Sequence, residues 1–169
     1  RAILRTTVHG RVNILLPMVA DLEELLLIKA HIEKAREELR QSGIAVADNY
    51  RLGLMLEVPS AVWGLPRMLK HIDFVSVGTN DLIQYTFAVD RGNPRINRWF
   101  RQFHPIVLQI IKQACDLVAG VEGKALSICG EIAGNPVGVP LLIGAGVRYL
   151  SMTPCRIPAV ADAVASVTV

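Results

Sequence analysis

The sequence predicts an α/β fold in which parallel strands alternate with helices, and three observations carry that prediction. Apolar runs of strand length recur, helical patterns separate them, and the residues suited to chemistry fall at the ends of the runs. The runs are VNILLPMV from Val12, LGLMLEVP from Leu52, FVSVGTN from Phe74, LSICGEIAG from Leu126 and the shorter RYLSMTP from Arg148. Each reads as apolar on both faces, the pattern of strands covered on both sides.

The helical patterns follow in order. DLEELLLIKAHIEKAREELRQSG has Asp21 placed as N-cap, apolar residues at three- and four-residue steps, and Gly43 at its stop. SAVWGLPRMLKHI predicts a second helix, PIVLQIIKQACDLVAGV a third with Pro105 in its first turn and Gly120 at its end, and PVGVPLLIGAG a fourth. Right-handed crossovers would then bring every strand's C-terminal end to one face. No internal repeat, low-complexity stretch or linker interrupts the pattern.

With 169 residues, 51% apolar and 20% charged, the chain is long enough for one sizeable core and reads as one domain or part of one. The net charge of +3 is spread along the sequence with no basic block, so nucleic acid is not an expected partner. No leader pattern is present and no apolar run approaches the roughly 20 residues needed to span a bilayer. Three cysteines without C-x-x-C spacing argue against a disulfide framework and a zinc knuckle. The expected location is the cytoplasm.

Glu57, the pair Asn80–Asp81, and Cys129 with Glu131 end three different runs, so a parallel sheet or barrel would gather them on one rim, where active sites of (β/α) barrels are built. One acidic residue in such a place is commonly a helix cap; three coincident ends are harder to explain that way. Glu57 and Asp81 are hard oxygen ligands suited to Mg²⁺, which takes few protein carboxylates and fills its shell with water and phosphate. Gly78 and Thr79 allow a tight turn that aims N–H groups at an anion, and Arg91 offers a fork for phosphate unless it pairs with a neighbouring loop carboxylate. Cys129 sits where a thiol can serve as nucleophile or proton donor, although a cysteine in an apolar strand is often only a small hydrophobe. Cys115 and Cys155 read as structural or incidental.

RAILRTTVHGRVNILLPMV, LMLEVPSAV, GTNDLIQYTFAVDRGN and ICGEIAG together resemble the C-terminal phosphoenolpyruvate-binding domain of enzyme I of the bacterial phosphotransferase system. The likeness covers nearly the whole chain, and LMLEVPSAVWGLP and GVRYLSMTP are nearest to the nitrogen-regulatory branch. It implies that residues 1–169 are the C-terminal portion of a (β/α)8 barrel of the TIM type. It also implies transfer of the phosphoryl group of phosphoenolpyruvate to a histidine of the parent enzyme, release of pyruvate, and onward transfer to a phosphocarrier protein of the HPr type. On the matched positions, Glu57 and Asp81 are the family's Mg²⁺ ligands, Asn80 and Arg91 its phosphate contacts, and Cys129 its proton donor.

Pyruvate phosphate dikinase and phosphoenolpyruvate synthase share the GTNDL-Q element, but their next segment resembles G-x-S-R-D-D where this chain has AVDRGN. A dikinase-type barrel and a non-catalytic dimerisation or regulatory fragment are the alternative readings. Two departures from the family stand out. Ile83 replaces the usual Thr after GTNDL, a change expected to touch packing more than chemistry. The upstream arginines that bind phosphate and carboxylate, and the first barrel strands, have no counterpart in these residues. The phosphoacceptor histidine of the family lies in a Gly-rich, Ser-His context that His9, His31, His71 and His104 lack; His104 instead precedes Pro105 as a helix-capping or packing residue. Such a portion is expected to be inactive alone, and its strand edges suggest association into a homodimer or with the missing segments.

Overall fold

All five apolar runs form strands in the computed structural model, which describes residues 1–167. They are β1 (Val12–Leu16), β2 (Tyr50–Leu56), β3 (Phe74–Gly78), β4 (Ala125–Cys129) and the two-residue β5 (Tyr149–Leu150). Every pairing is parallel and the strands lie in chain order, β1 beside β2 and so on to β5. In a doubly wound sheet the order reverses part way, which sends helices to both faces. A strictly sequential order with right-handed crossovers keeps the helices on one face, and this is how a barrel wall is laid down.

The sheet corrects one sequence expectation. Its strands alternate, because only the helix-facing side is sealed: Leu52, Leu54, Leu56, Val75, Val77, Leu126 and Ile128 are buried. The opposite side carries Arg51, Met55, Ser76, Ser127 and Cys129, of which only Ser76 is buried. Apolar residues on both sides of Met55 and Cys129 hid this period of two, since methionine and cysteine count as apolar on either face.

The helices are α1 (Ala2–Thr6), α2 (Leu22–Gln41), α3 (Pro59–Met68), α4 (Thr79–Thr86), α5 (Pro105–Ala119), α6 (Val139–Gly144) and α7 (Ile157–Ser166). Asp21 caps α2 by accepting the Glu24 amide at 2.8 Å, while the Glu24 carboxylate accepts the Ala20 amide at 2.7 Å, and Gly43 beyond the helix has φ +72°. His104 caps α5, its Nδ1 accepting the Ile106 amide at 3.2 Å, and its ring packs edge-on against Phe87. The core joins Leu25 of α2, Leu65 and Met68 of α3, Ile111 of α5 and Leu142 of α6 to the helix-facing strand residues. Ile83 is fully buried in it, in keeping with a packing role. Three helices are absent from the sequence reading: α1, α7, and α4, which begins at Thr79 directly after the turn residue Gly78.

Candidate functional site

Strand register builds the site. Leu56 lies opposite Val77 and Gly78 opposite Cys129, so the ends of β2, β3 and β4 are level and the residues that follow them share one rim. Glu57 follows β2, Asn80 and Asp81 stand in the first turn of α4, and Cys129 closes β4. Four of the five predicted residues are thereby brought together.

Glu57 is the buried member, 5% exposed. Its Oε1 accepts the Met18 amide at 2.8 Å, and the Met18 backbone turns into the left-handed region, φ 58°, to offer it. Burial pushes the Glu57 carboxyl above the ordinary carboxylate range; the Met18 hydrogen bond opposes this, and the nearby Asp81 charge adds to it. Two carboxylates so placed repel, and a cation between them would relieve both the repulsion and the desolvation. Among the described residues no group of three or more His, Cys, Asp or Glu side chains is placed to hold a metal. The pair suits only an ion content with few protein ligands, as Mg²⁺ is.

Gly78 serves the carboxylate through space. The chain turns there from β3 straight into α4, and the Gly78 φ of −82° is open to any residue, but a Cβ would lie 2.5 Å from Glu57 Oε2 and 3.0 Å from Met55 Sδ. Gly130 is required for both reasons: its φ is +93°, and a Cβ would collide with Thr79 Oγ1 and approach Asn80 Oδ1 to 3.1 Å. Thr79 Oγ1 donates to the Cys129 carbonyl at 2.8 Å, and Asn80 Oδ1 accepts the Glu131 amide at 3.3 Å. The β3 and β4 ends are therefore cross-tied.

The Cys129 thiol is half-buried on the inner side of the sheet, with Ser76 Oγ and Met55 Sδ each 3.6 Å away and the Val77 carbonyl at 3.4 Å. It opens on a cavity of about 660 Å³ lined also by Asn80, Glu131, Asn135, Ser151 and Arg156. Arg91 stands apart, on the exposed loop after α4, its amide donating to Gln84 Oε1 at 3.4 Å. The predicted competitor for its guanidinium does not take it: Asp90 accepts the Gly92 amide at 2.7 Å instead, and among the described residues Arg91 makes no ion pair. Sequence reasoning missed Ser76, Gln102, which donates to Glu131 at 2.8 Å, and Arg156. Ser76 was legible as the one hydroxyl in the run before GTND, two residues before the glycine.

Sequential parallel strands with a polar rim define a segment of a (β/α)-barrel protein whose site lies at the strand C-termini. Residues 1–169 match the family described as PEP-utilising enzyme, PEP-binding domain, and the chain belongs to it. Among curated relatives it is 43% identical over 157 residues to the phosphoenolpyruvate-protein phosphotransferase of Enterococcus faecalis, covering 93% of this chain and 27% of that protein. It is 42% identical over 158 residues to that of Haemophilus influenzae, covering 94% and 27%, and 41% identical over 160 residues to multiphosphoryl transfer protein 1 of Escherichia coli, covering 95% and 19%. The chain thus spans about a quarter or less of the length of these relatives. A citrate lyase from Burkholderia xenovorans shares the fold, with TM-score 0.69 and 22% identity over 97% of this chain and 52% of that one. Among the described residues no helix is long and apolar enough to cross a membrane.

Proposed function

We propose that this chain is the phosphoenolpyruvate-binding part of a phosphoenolpyruvate-protein phosphotransferase, enzyme I type, that binds its substrate with Mg²⁺. The observation that carries the reading is the meeting of Glu57, Asp81 and the Cys129 thiol on one rim, in a chain of this family. Glu57 and Asp81 would hold the cation, which when bound neutralises charge on the phosphoryl and enol oxygens. Asn80 in the first turn of α4 and Arg91 on the following loop contribute polar and cationic contacts to the phosphoryl group.

In the reaction, the bond from the enol oxygen to phosphorus breaks as a histidine nitrogen of a separate domain of the parent enzyme takes the phosphoryl group. The enolate carbon then takes the proton of Cys129 Sγ to give pyruvate, and the thiolate recovers a proton from water. Ser76 Oγ, 3.6 Å from the sulfur, supports the thiolate in between. The phosphohistidine passes its phosphoryl group to a phosphocarrier protein of the HPr type. AVDRGN favours this over the dikinase reading, and the retention of all five residues speaks against a non-catalytic fragment.

β1 and β5 each have one unpaired edge, which further barrel strands would cover; the parent enzyme is read as a cytoplasmic homodimer, and this part alone as inactive. The nitrogen-regulatory assignment rests on the LMLEVPSAVWGLP and GVRYLSMTP motifs. The test is calorimetric titration of phosphoenolpyruvate into the chain and into its parent protein, with Mg²⁺ and with a chelator. Heat that depends on Mg²⁺ is expected in both, weaker in the chain. Silence from the parent protein in Mg²⁺ would sink the reading.

A further inference from the structure

The opposite end of the sheet holds a second cavity, of about 390 Å³, among the N-terminal ends of β2, β3 and β4 and the side of α2. Two of its cations are fixed in place by backbone. Lys29 Nζ donates to the His71 carbonyl at 2.7 Å, and Lys124 Nζ donates to the next carbonyl, that of Ile72, at 2.5 Å. Both lysines and His71 are half-buried, and Lys70 reaches the same cavity from beside His71.

The acids that line this cavity have partners other than the lysines, among them Arg36 on the same wall. Asp48 is bound by Arg36 at 2.6 Å and Arg40 at 3.1 Å, Glu33 by Arg36 and, at 2.9 Å, by the Tyr50 hydroxyl, and Asp73 accepts the Leu52 amide at 2.7 Å. Among the described residues Lys29, Lys70 and Lys124 make no ion pair. The cost is visible at His71, whose imidazole is held below its ordinary pKa by partial desolvation and then by the Lys29 and Lys70 charges. Three lysines without a carboxylate partner, two of them held by backbone carbonyls and left with unused N–H donors, thus line one concave space large enough for a small metabolite.

We propose that this cavity is a binding site for a small multivalent oxyanion, a phosphate or polycarboxylate group held by Lys29, Lys70 and Lys124 at the end of the barrel remote from Cys129. Each ammonium is a compact point charge with rotatable N–H donors, which suits an anion of variable shape better than one planar carboxylate. An anion there also removes the repulsion among the cations, so occupancy and the charge on His71 rise together.

The test is NMR of the imidazole-labelled protein in a chelator, with inorganic phosphate, citrate and chloride titrated at matched ionic strength. Saturable movement of the His71 pKa to higher values with phosphate or citrate, and not with chloride, is the expected result; the two arms separate phosphate from carboxylate preference. Lys70→Gln, which removes no backbone contact, should weaken the effective anion about tenfold, the scale of one lost charge-assisted contact. Lys124→Gln should do the same, and Lys70→Gln decides the matter if Lys124→Gln fails to fold. Equal response to chloride, shifts confined to the Cys129 rim, or unchanged affinity in Lys70→Gln overturns the proposal.

Discussion

The amide of Met18 and the carboxylate of Glu57 meet at 2.8 Å across the β1 and β2 ends, with Met18 held at a φ of 58° to do so. A non-glycine residue in that region carries strain of order 1–3 kcal/mol, sustained by its surroundings. The strain goes into aiming one oxygen of a buried acid, which leaves Oε2 turned towards Gly78.

Glu57 gives a prediction with a defined sign. A carboxyl held above its ordinary pKa binds its proton more tightly in the fold than in the unfolded chain. Its contribution to stability is therefore present below the unfolded value and lost as pH rises through the raised folded value. Glu57→Gln keeps an acceptor for Met18 without the charge, so in a chelator it should melt at or above the parent at pH 8 and match it near pH 4. Mg²⁺ should raise the melting temperature of the parent only, with a smaller rise as pH falls through the raised carboxyl value. Melting scans across pH check both, and a variant far less stable than the parent at pH 8 in chelator would refute the burial cost.

Gly78→Ala tests the space beside Glu57. The added methyl must displace Glu57 or Met55, an overpacking cost of about 1–3 kcal/mol in urea unfolding. Mg²⁺ affinity should fall more than that stability loss explains. Parent-like metal titrations would mean that Oε2 is not a ligand atom.

Cys129→Ala in the full-length parent should still bind phosphoenolpyruvate with Mg²⁺ but form pyruvate about 10²- to 10⁴-fold more slowly, the range of general acid catalysis. Cys155→Ala, at an exposed site, should keep the parent rate. So should Cys115→Ala, a buried thiol that burial and then Asp116 hold above the ordinary cysteine pKa, although it should lose some stability. Pyruvate release at saturating substrate separates the three, and a fast Cys129→Ala enzyme would move the proton donor elsewhere.

Arg91→Lys should slow phosphoryl transfer, since a single ammonium does not reproduce the guanidinium fork. Stability should hardly change, because the exposed side chain makes no ion pair among the described residues. The measurement is single-turnover transfer in the parent protein beside its thermal melt; an unaltered rate removes Arg91 from the phosphate site.

The strands, the four main helices and the rim were legible because each rests on local pattern: apolar runs, an Asp cap before α2, a Pro in the first turn of α5. What stayed hidden depends on contacts between distant residues. Thr79–Asp81 looked like a turn since Gly, Thr, Asn and Asp favour turns, yet Thr79 and Asn80 spend their side chains on β4 and the loop after it while their backbone starts α4. The five-residue α1 is too short to carry a helical period that separates it from loop. Arg156 entered the rim cavity only through the β5 turn, which no spacing along the chain reveals.

The strand order also governs how the chain finds its fold. Among the described residues each strand pairs with its neighbours in the chain, so the template for β2 to β5 is complete as soon as the preceding βα unit has formed. Synthesis from the N-terminus can therefore lay the sheet down in step with emergence from the ribosome, without waiting for a distant partner. Loss of β5 and α7 would leave four paired strands, whereas a cut through β3 would divide the sheet and separate Glu57 from Cys129 at once.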